Sequence, residues 1–156
     1  MRRYPKEFIA YLVLSLLFIY LVDLFTQKPG RIGGNGNLGI IPLSLSLIFI
    51  VLFGISIIKQ LKRFELTSKK WIMLLAFSLS ILILTIVMEF HFFNDLIKEL
   101  GGPPTVEGSD IYRFGWLNQG TNTLYVNMYT FLAFCSLIVS CYSAQAFLKQ
   151  KLPLKG

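Results

Sequence analysis

Residues 38–58 read LGIIPLSLSLIFIVLFGISII, and none of them is charged. A helix needs ~20 mainly apolar residues to cross the ~30 Å of hydrocarbon in a bilayer, so this stretch is long enough to span a membrane. Three more apolar runs lie on either side of it, at 8–25, 71–93 and 124–147. Because backbone groups in lipid must be hydrogen-bonded within their own segment, the four runs predict an all-α bundle of four transmembrane helices in a single membrane domain.

The composition of the chain supports this interpretation. Of its 156 residues, 54% are hydrophobic and only 15% are charged, and its mean hydropathy is +0.64. Soluble domains carry about 25% charged residues, so this chain has too few polar groups to cover a globule in water. Its apolar content also excludes a disordered chain, and its two cysteines are too few for a disulfide scaffold. The expected surroundings are therefore a lipid bilayer.

Most of the basic residues fall on one side of the predicted membrane. Of the 15 Lys and Arg residues, eleven lie in the N-terminal leader, in the loop between the second and third runs, and in the tail. Because short cytoplasmic loops hold the excess of Lys and Arg, both termini are expected in the cytoplasm. The net charge of +7 is thus a topology signal that predicts no nucleic-acid partner. The eleven residues are Arg2, Arg3, Lys6, Lys59, Lys62, Arg63, Lys69, Lys70, Lys149, Lys151 and Lys155.

The expected location is the plasma (inner) membrane of a bacterium, where the chain is a multi-pass protein. The sequence has no N-x-S/T glycosylation sequon, which is compatible with that location. The first run is expected to remain as a span, because no small-residue cleavage site of the A-x-A type follows it and it is longer than the apolar region of a usual signal peptide.

The 94–123 segment is predicted to form an extracytoplasmic cap together with the glycine-rich loop 26–37. Apolar residues at helical spacing extend the third helix to about Leu100, where the sequence Gly-Gly-Pro-Pro at 101–104 stops it. A connection of this length without regular structure is usually either functional or disordered. Its many aromatic residues argue against disorder.

Four aromatic and basic side chains stand together in this segment, namely Tyr112, Arg113, Phe114 and Trp116. One interpretation is an interfacial belt that anchors the protein at headgroup level. The other is a partner-binding surface, because Tyr, Trp and Arg are enriched at the hot spots of interfaces. The second interpretation gives the leading hypothesis, a non-enzymatic accessory, regulatory or immunity-type factor. Its partner would be another membrane or extracytoplasmic protein, or a second copy of the chain.

Ionisable residues near the outer ends of the spans give the alternative hypothesis, because such residues within spans are often functional. Asp23 and Glu89 are candidates for a proton or polar site of a membrane-embedded enzyme or transporter, with His91 as proton carrier. That role requires the two carboxylates to converge on one cavity. His91 and Asp95 share a helix face, four residues apart, and are expected to form a hydrogen bond. Without a second histidine or an outer cysteine, the sequence predicts no metal site and no cofactor.

The first span ends in Asp-Leu-Phe-Thr at 23–26, which is similar to the corresponding end in lipoprotein signal peptidases, also four-span proteins. That resemblance implies aspartyl chemistry, which requires a pair of aspartates, one in a G-N-x-x-D motif and one in an N-x-x-D motif, both at later spans. The chain contains neither motif, and it also lacks the C-x-x-C pair of four-span thiol oxidoreductases. This scarcity of reactive groups favours a non-enzymatic role.

Small residues recur every four positions on the later spans. They are Ser136, Ser140 and Ala144 on the fourth span, and Ala76 and Ser80 on the third. Because small side chains let helix backbones approach closely in lipid, this spacing predicts tight packing between helices.

Overall fold

Four long helices form the body of the molecule in the computed structural model, which describes residues 6–31 and 36–152. Each is long and apolar enough to cross a membrane, as the sequence predicted, and the described residues form no strand. Two short helices lie between the third and fourth long ones. The elements are α1 (Lys6–Phe25), α2 (Ile40–Leu61), α3 (Ser68–Glu99), α4 (Asp110–Phe114), α5 (Asn122–Tyr125) and α6 (Met128–Lys151).

The long helices pack mainly as two pairs, α1 with α2 and α3 with α6, and the pairs meet through α2 and α6. Consequently α2 is the most enclosed span. In its most apolar stretch 44% is buried, compared with 17% in the corresponding stretches of α1 and α3. Gly54 lies at the contact between the pairs. A Cβ added there would be 2.6 Å from the Ile138 side chain and 2.8 Å from that of Phe134. Only glycine therefore allows α2 and α6 to approach this closely.

The contact between α3 and α6 includes a hydrogen bond between two serines. The Ser78 and Ser140 hydroxyls are 2.8 Å apart and buried. Nearby, the Trp71 and Tyr142 rings lie 5.7 Å apart in a tilted arrangement. Small polar residues thus lie between these helices, as predicted for Ser140, but the predicted pair Ala76 and Ser80 is exposed.

The two ends of the bundle differ in charge. At one end, here called the loop end, α1 and α3 finish and α2 and α6 begin. At the opposite end, here called the basic end, lie the described members of the predicted basic set, while Arg2, Arg3 and Lys155 fall outside the described residues. The described members are Lys6, Lys59, Lys62, Arg63, Lys69, Lys70, Lys149 and Lys151.

The third long helix ends where the sequence predicted. It runs to Glu99, and the backbone then turns at Gly101 and Gly102, whose φ values are 84° and 115°. Residues with a side chain rarely adopt such angles, so glycine is required at this turn. With 32 residues, α3 is ~48 Å long at 1.5 Å per residue, which exceeds the ~30 Å of bilayer hydrocarbon.

The fourth long helix begins later than the apolar run indicated. Residues 122–125 form the separate helix α5, and Val126 is extended, with φ −142° and ψ 119°. Asn127 then caps α6, because its side-chain oxygen accepts hydrogen bonds from the backbone amides of Tyr129 (2.7 Å) and Thr130 (3.0 Å). Hydropathy alone does not register this break, since the residues on both sides of it are apolar.

Candidate functional site

The segment between α3 and α6, residues 100–127, is folded around a small apolar core of its own. Leu100 and Ile111 are almost completely buried and pack with Leu96 near the end of α3. The backbone amide of Asp110 donates to the Leu100 carbonyl at 2.9 Å. The Ser109 hydroxyl caps α4 by accepting from the Tyr112 amide at 3.1 Å. These contacts fix α4 against the end of α3.

Beyond α4, the chain buries polar residues instead of apolar ones. The Asn118 side chain donates to the Gly115 carbonyl at 2.7 Å and accepts from the Gly120 amide at 2.8 Å. The Thr121 hydroxyl accepts from the Asn118 amide at 2.9 Å and donates to the Trp116 carbonyl. Because these groups bind one another, the loop holds its shape while they are withdrawn from solvent. The buried polar residues are Asn118, Gln119, Thr121, Asn122 and Thr123.

This polar loop also holds the connection between α1 and α2. Asn37 and Asn122 bind each other through both side-chain amides, with N to O distances of 2.7 and 2.9 Å. The backbone amide of Gln27 donates to the backbone carbonyl of Gln119 at 2.8 Å. The first connection is thus fastened to the 100–127 segment, although residues 32–35 of the predicted glycine-rich loop lie outside the described residues.

Sequence reasoning missed the structural role of these asparagine, glutamine and threonine residues. The stretch Asn-Gln-Gly-Thr-Asn-Thr at 118–123 consists of turn-forming residues, which predicts an exposed loop. The Asn37 partner lies 85 positions away from Asn122, so no local pattern points to their pairing. The only available signal is the concentration of amide side chains in a chain that is otherwise apolar.

The four predicted partner-binding residues lie on or directly after α4. Tyr112 and Trp116 are exposed over 56% and 44% of their surface, and the neighbouring Leu117 over 51%. Arg113 is exposed as well, whereas Phe114 is half-buried. The segment therefore presents large aromatic and apolar side chains on its surface and keeps its amide side chains inside.

Three of these four residues have ring contacts, and the contacts differ. The Arg113 guanidinium lies over the Phe114 ring, 5.2 Å from its centroid. Trp116 instead stacks on Phe93 of α3, with ring centroids 6.4 Å apart and planes 18° apart. Its carbonyl also accepts from the Tyr125 hydroxyl at 3.0 Å. The Trp116 ring is thus supported by α3.

Asp23 lies beside a cavity of about 360 Å³ at the loop end, here called the α1 crevice. One wall is a face of α1, and the other is formed by α3 and by the chain that leads into α6. Glu89, the second predicted carboxylate, is not among the lining residues. The crevice is lined by Leu16, Ile19, Tyr20, Asp23, Phe92, Thr123, Val126, Asn127 and Met128.

Glu89 is instead bound to the cap of α6. The Asn127 side-chain nitrogen donates to a Glu89 carboxylate oxygen at 2.8 Å and to the Thr123 carbonyl at 2.9 Å. Asn127 lies between the two predicted carboxylates, since it also lines the α1 crevice beside Asp23. This contact ties α3 to the start of α6, which gives the half-buried Asn127 amide a structural role.

The expected hydrogen bond between His91 and Asp95 is not formed. The Asp95 carboxylate is bound by Lys98 at 3.4 Å, and His91 is exposed with its ring against Phe90. Both Lys98 and His91 lie one helical turn from Asp95, so helix spacing allows either contact, and the structure contains the one with Lys98. Within residues 6–31 and 36–152, no cluster of three or more histidine, cysteine or acidic side chains is placed to hold a metal ion.

No family model, no curated protein sequence and no solved structure matches this chain. Its function must therefore be inferred from its own residues.

Proposed function

We propose that this protein is a non-enzymatic accessory, regulatory or immunity-type factor that binds a membrane or extracytoplasmic partner protein through Tyr112, Arg113, Phe114 and Trp116. In this proposal both termini lie in the cytoplasm of a bacterium, and the loop end faces outward. The basic residues at the opposite end support that orientation, because an excess of Lys and Arg marks the cytoplasmic side.

The observation that carries the proposal is the distribution of side chains in the 100–127 segment. Asn118, Thr121 and Asn122 are buried there, while Tyr112 and Trp116 are exposed. A segment that only closed the end of the bundle would gain stability by the opposite arrangement, since burying aromatic surface is favourable and burying amides is not. The exposed aromatic side chains are therefore better explained by a surface that another molecule covers.

The rigidity of the segment also supports binding. Trp116 rests on Phe93, and its own backbone carbonyl is fixed by hydrogen bonds from Thr121 and Tyr125. Association costs less when the contacting side chains are already held in place. Tryptophan, tyrosine and arginine are the residue types that dominate binding energy at protein interfaces.

The experiment is co-purification of the full-length chain from its native membranes in a mild detergent. A partner present in a constant ratio to the chain, or a defined self-association, is expected. The double variant Arg113→Ala, Trp116→Ala should lose it. Phe77→Ala is the control, because Phe77 is an exposed aromatic residue on α3 outside the 100–127 segment. This variant should retain the partner.

Two results would contradict the proposal. One is a monodisperse wild-type protein with neither partner nor self-association. The other is a partner that the double variant retains in the wild-type ratio while the purified variant keeps its helical content. In that case the aromatic residues would serve as membrane-interface anchors, which is the other role expected of Trp and Tyr at headgroup level.

A further inference from the structure

The α1 crevice follows from the way the helices are ordered. Since α1 packs on α2, and α3 packs on α6, the side of α1 that faces α3 has no extensive helix contact at the loop end. The crevice occupies this gap, and its volume of about 360 Å³ is within the range of small-molecule sites. None of its lining residues belongs to the proposed partner surface.

The crevice opens sideways, toward the surroundings of the apolar helices. Leu16, Tyr20 and Met128 line it and are also exposed, whereas Ile19 and Val126 form its buried floor. Most of the lining is hydrocarbon or aromatic. A ligand that enters from the bilayer would therefore place an apolar chain in it.

Asp23 supplies the only charged group among the lining residues. Within the described part of the chain, its carboxylate takes part in no hydrogen bond and no ion pair. The other strongly polar lining residue, Asn127, is already occupied, because its nitrogen donates to Glu89 and its oxygen accepts from Tyr129 and Thr130. The crevice thus combines apolar walls with one unpaired negative charge.

Asp23 lies at the level along α1 where lipid headgroups are expected. Helix α1 has 20 residues and is ~30 Å long, about the thickness of bilayer hydrocarbon. Asp23 lies in its last turn, so its carboxylate lies near the boundary between hydrocarbon and headgroups. The apolar lining residue Leu16 lies almost two turns deeper in the same helix.

We propose that the α1 crevice binds a membrane phospholipid whose headgroup carries a primary ammonium group, of the phosphatidylethanolamine type. One acyl chain lies against Leu16, Ile19 and Val126, and the ammonium group donates hydrogen bonds to the Asp23 carboxylate. Charge complementarity decides between headgroups. An anionic headgroup is repelled by Asp23, and a quaternary ammonium group has no N–H to donate and is usually held by an aromatic cage, for which Tyr20 and Phe92 alone are insufficient.

The experiment places the full-length protein in nanodiscs that contain equal amounts of phosphatidylethanolamine, phosphatidylcholine and phosphatidylglycerol. After mild release from the disc, native mass spectrometry counts the lipids that stay bound. We expect the ethanolamine lipid to be retained about five-fold over the choline lipid, the factor that a single partly exposed charge-assisted hydrogen bond provides. Asp23→Asn should reduce this preference to about one, because the amide keeps the shape of the side chain and removes its charge.

Two further variants identify the site. Leu16→Trp fills the crevice from its open side and should lower the retention of all three lipids. Asp95→Asn is the matched control, because Asp95 is an exposed carboxylate at the same end that does not line the crevice. It should leave the preference unchanged.

Three outcomes would overturn the proposal. They are equal retention of the ethanolamine and choline lipids by the wild-type protein, a preference for the glycerol lipid, and a preference that survives Asp23→Asn. A wild-type protein that leaves the disc as a dimer without lipid would also overturn it, since a second copy of the chain would then fill the crevice. None of these results depends on the partner bound by Trp116. A failure of the lipid proposal is therefore distinguishable from a failure of the partner proposal.

Discussion

The side-chain amides of Asn37 and Asn122 bind each other in both directions, with N to O distances of 2.7 and 2.9 Å, and Asn122 is completely buried. Asn37 precedes α2, and Asn122 begins α5. This amide pair therefore fastens the connection of the first helix pair to the segment that joins the second pair. Because each amide gives the other both a donor and an acceptor, neither is left unsatisfied at this contact.

We expect Asn122→Ala to weaken the contact between the two connections and so to lower the unfolding free energy. The substitution removes both bonds and leaves the Asn37 amide with only its contacts to the Asn118 carbonyl and the Gly39 amide, at 3.0 and 3.1 Å. A buried hydrogen bond lost in this way costs about 1–3 kcal/mol of unfolding free energy. The check is thermal unfolding in detergent, followed by intrinsic tryptophan fluorescence. Asn94→Ala removes a single bond to the Phe90 carbonyl on the surface of α3 and should lower the midpoint far less.

Gly39→Ala tests the same contact by steric means. The added Cβ would lie 2.2 Å from the Asn122 side-chain nitrogen, while the Gly39 φ of −64° suits alanine equally well. We expect a loss of about 1–3 kcal/mol, the usual cost of overpacking. In the Asn122→Ala background both contacts below 3.0 Å are removed and only a 3.2 Å contact with the Asn37 oxygen remains, so Gly39→Ala should then cost less. Strict additivity of the two substitutions in a double-mutant cycle would contradict this account.

Substitution of Gly54 should destabilise the protein more as the new side chain becomes larger. The Cβ of alanine already meets Ile138 and Phe134 below 3.0 Å, and both contacts are with the outer atoms of side chains rather than with backbone. We expect Gly54→Ala to cost about 1–2 kcal/mol, and Gly54→Val to cost more because it forces α2 away from α6. Resistance to unfolding by a denaturing detergent is the measurement. Ile55→Val, at the exposed neighbouring position, is the control and should behave as wild type.

Asn127→Ala removes the cap of α6 and the partner of Glu89 together. Loss of an asparagine N-cap costs about 1 kcal/mol, and separation of the Glu89 carboxylate from its donor adds to this. Glu89→Gln keeps an acceptor oxygen for the Asn127 amide and should change the unfolding midpoint little. If Glu89→Gln proved as damaging as Asn127→Ala, the charge of Glu89 would have a role that this contact does not explain.

Much of the helical architecture could be predicted from the sequence, because it depends on local properties. The uncharged run at 38–58 corresponds to α2, and the glycine pair after Leu100 ends α3 where expected. The described members of the predicted basic set also lie at one end of the bundle, since each is close along the chain to the end of a helix. The start of α6 at Met128 was missed because its capping box lies inside an apolar run.

The side-chain contacts of the candidate site could be predicted less well from the sequence. The sequence indicated that Tyr112 and Trp116 lie in the connecting segment, but it gave no sign that Trp116 rests on Phe93 or that Arg113 covers Phe114. It also predicted a bond between His91 and Asp95, whereas the Asp95 carboxylate contacts Lys98 instead. Side-chain partners of this kind depend on which of several nearby groups is best placed, and helix spacing alone does not rank them.

By itself, the sequence determined that this chain has four apolar helices with a basic end and a loop end, because the length and charge of each run are properties of contiguous residues. Only the tertiary structure decided that Asn122 pairs with Asn37 and that Asp23 lines a crevice beside Val126. Both relationships depend on the order in which the helices pack, α1 on α2, α2 against α6, and α6 on α3. That order results from contacts between residues far apart in the chain, such as Gly54 with Ile138, and no local pattern in the sequence encodes it.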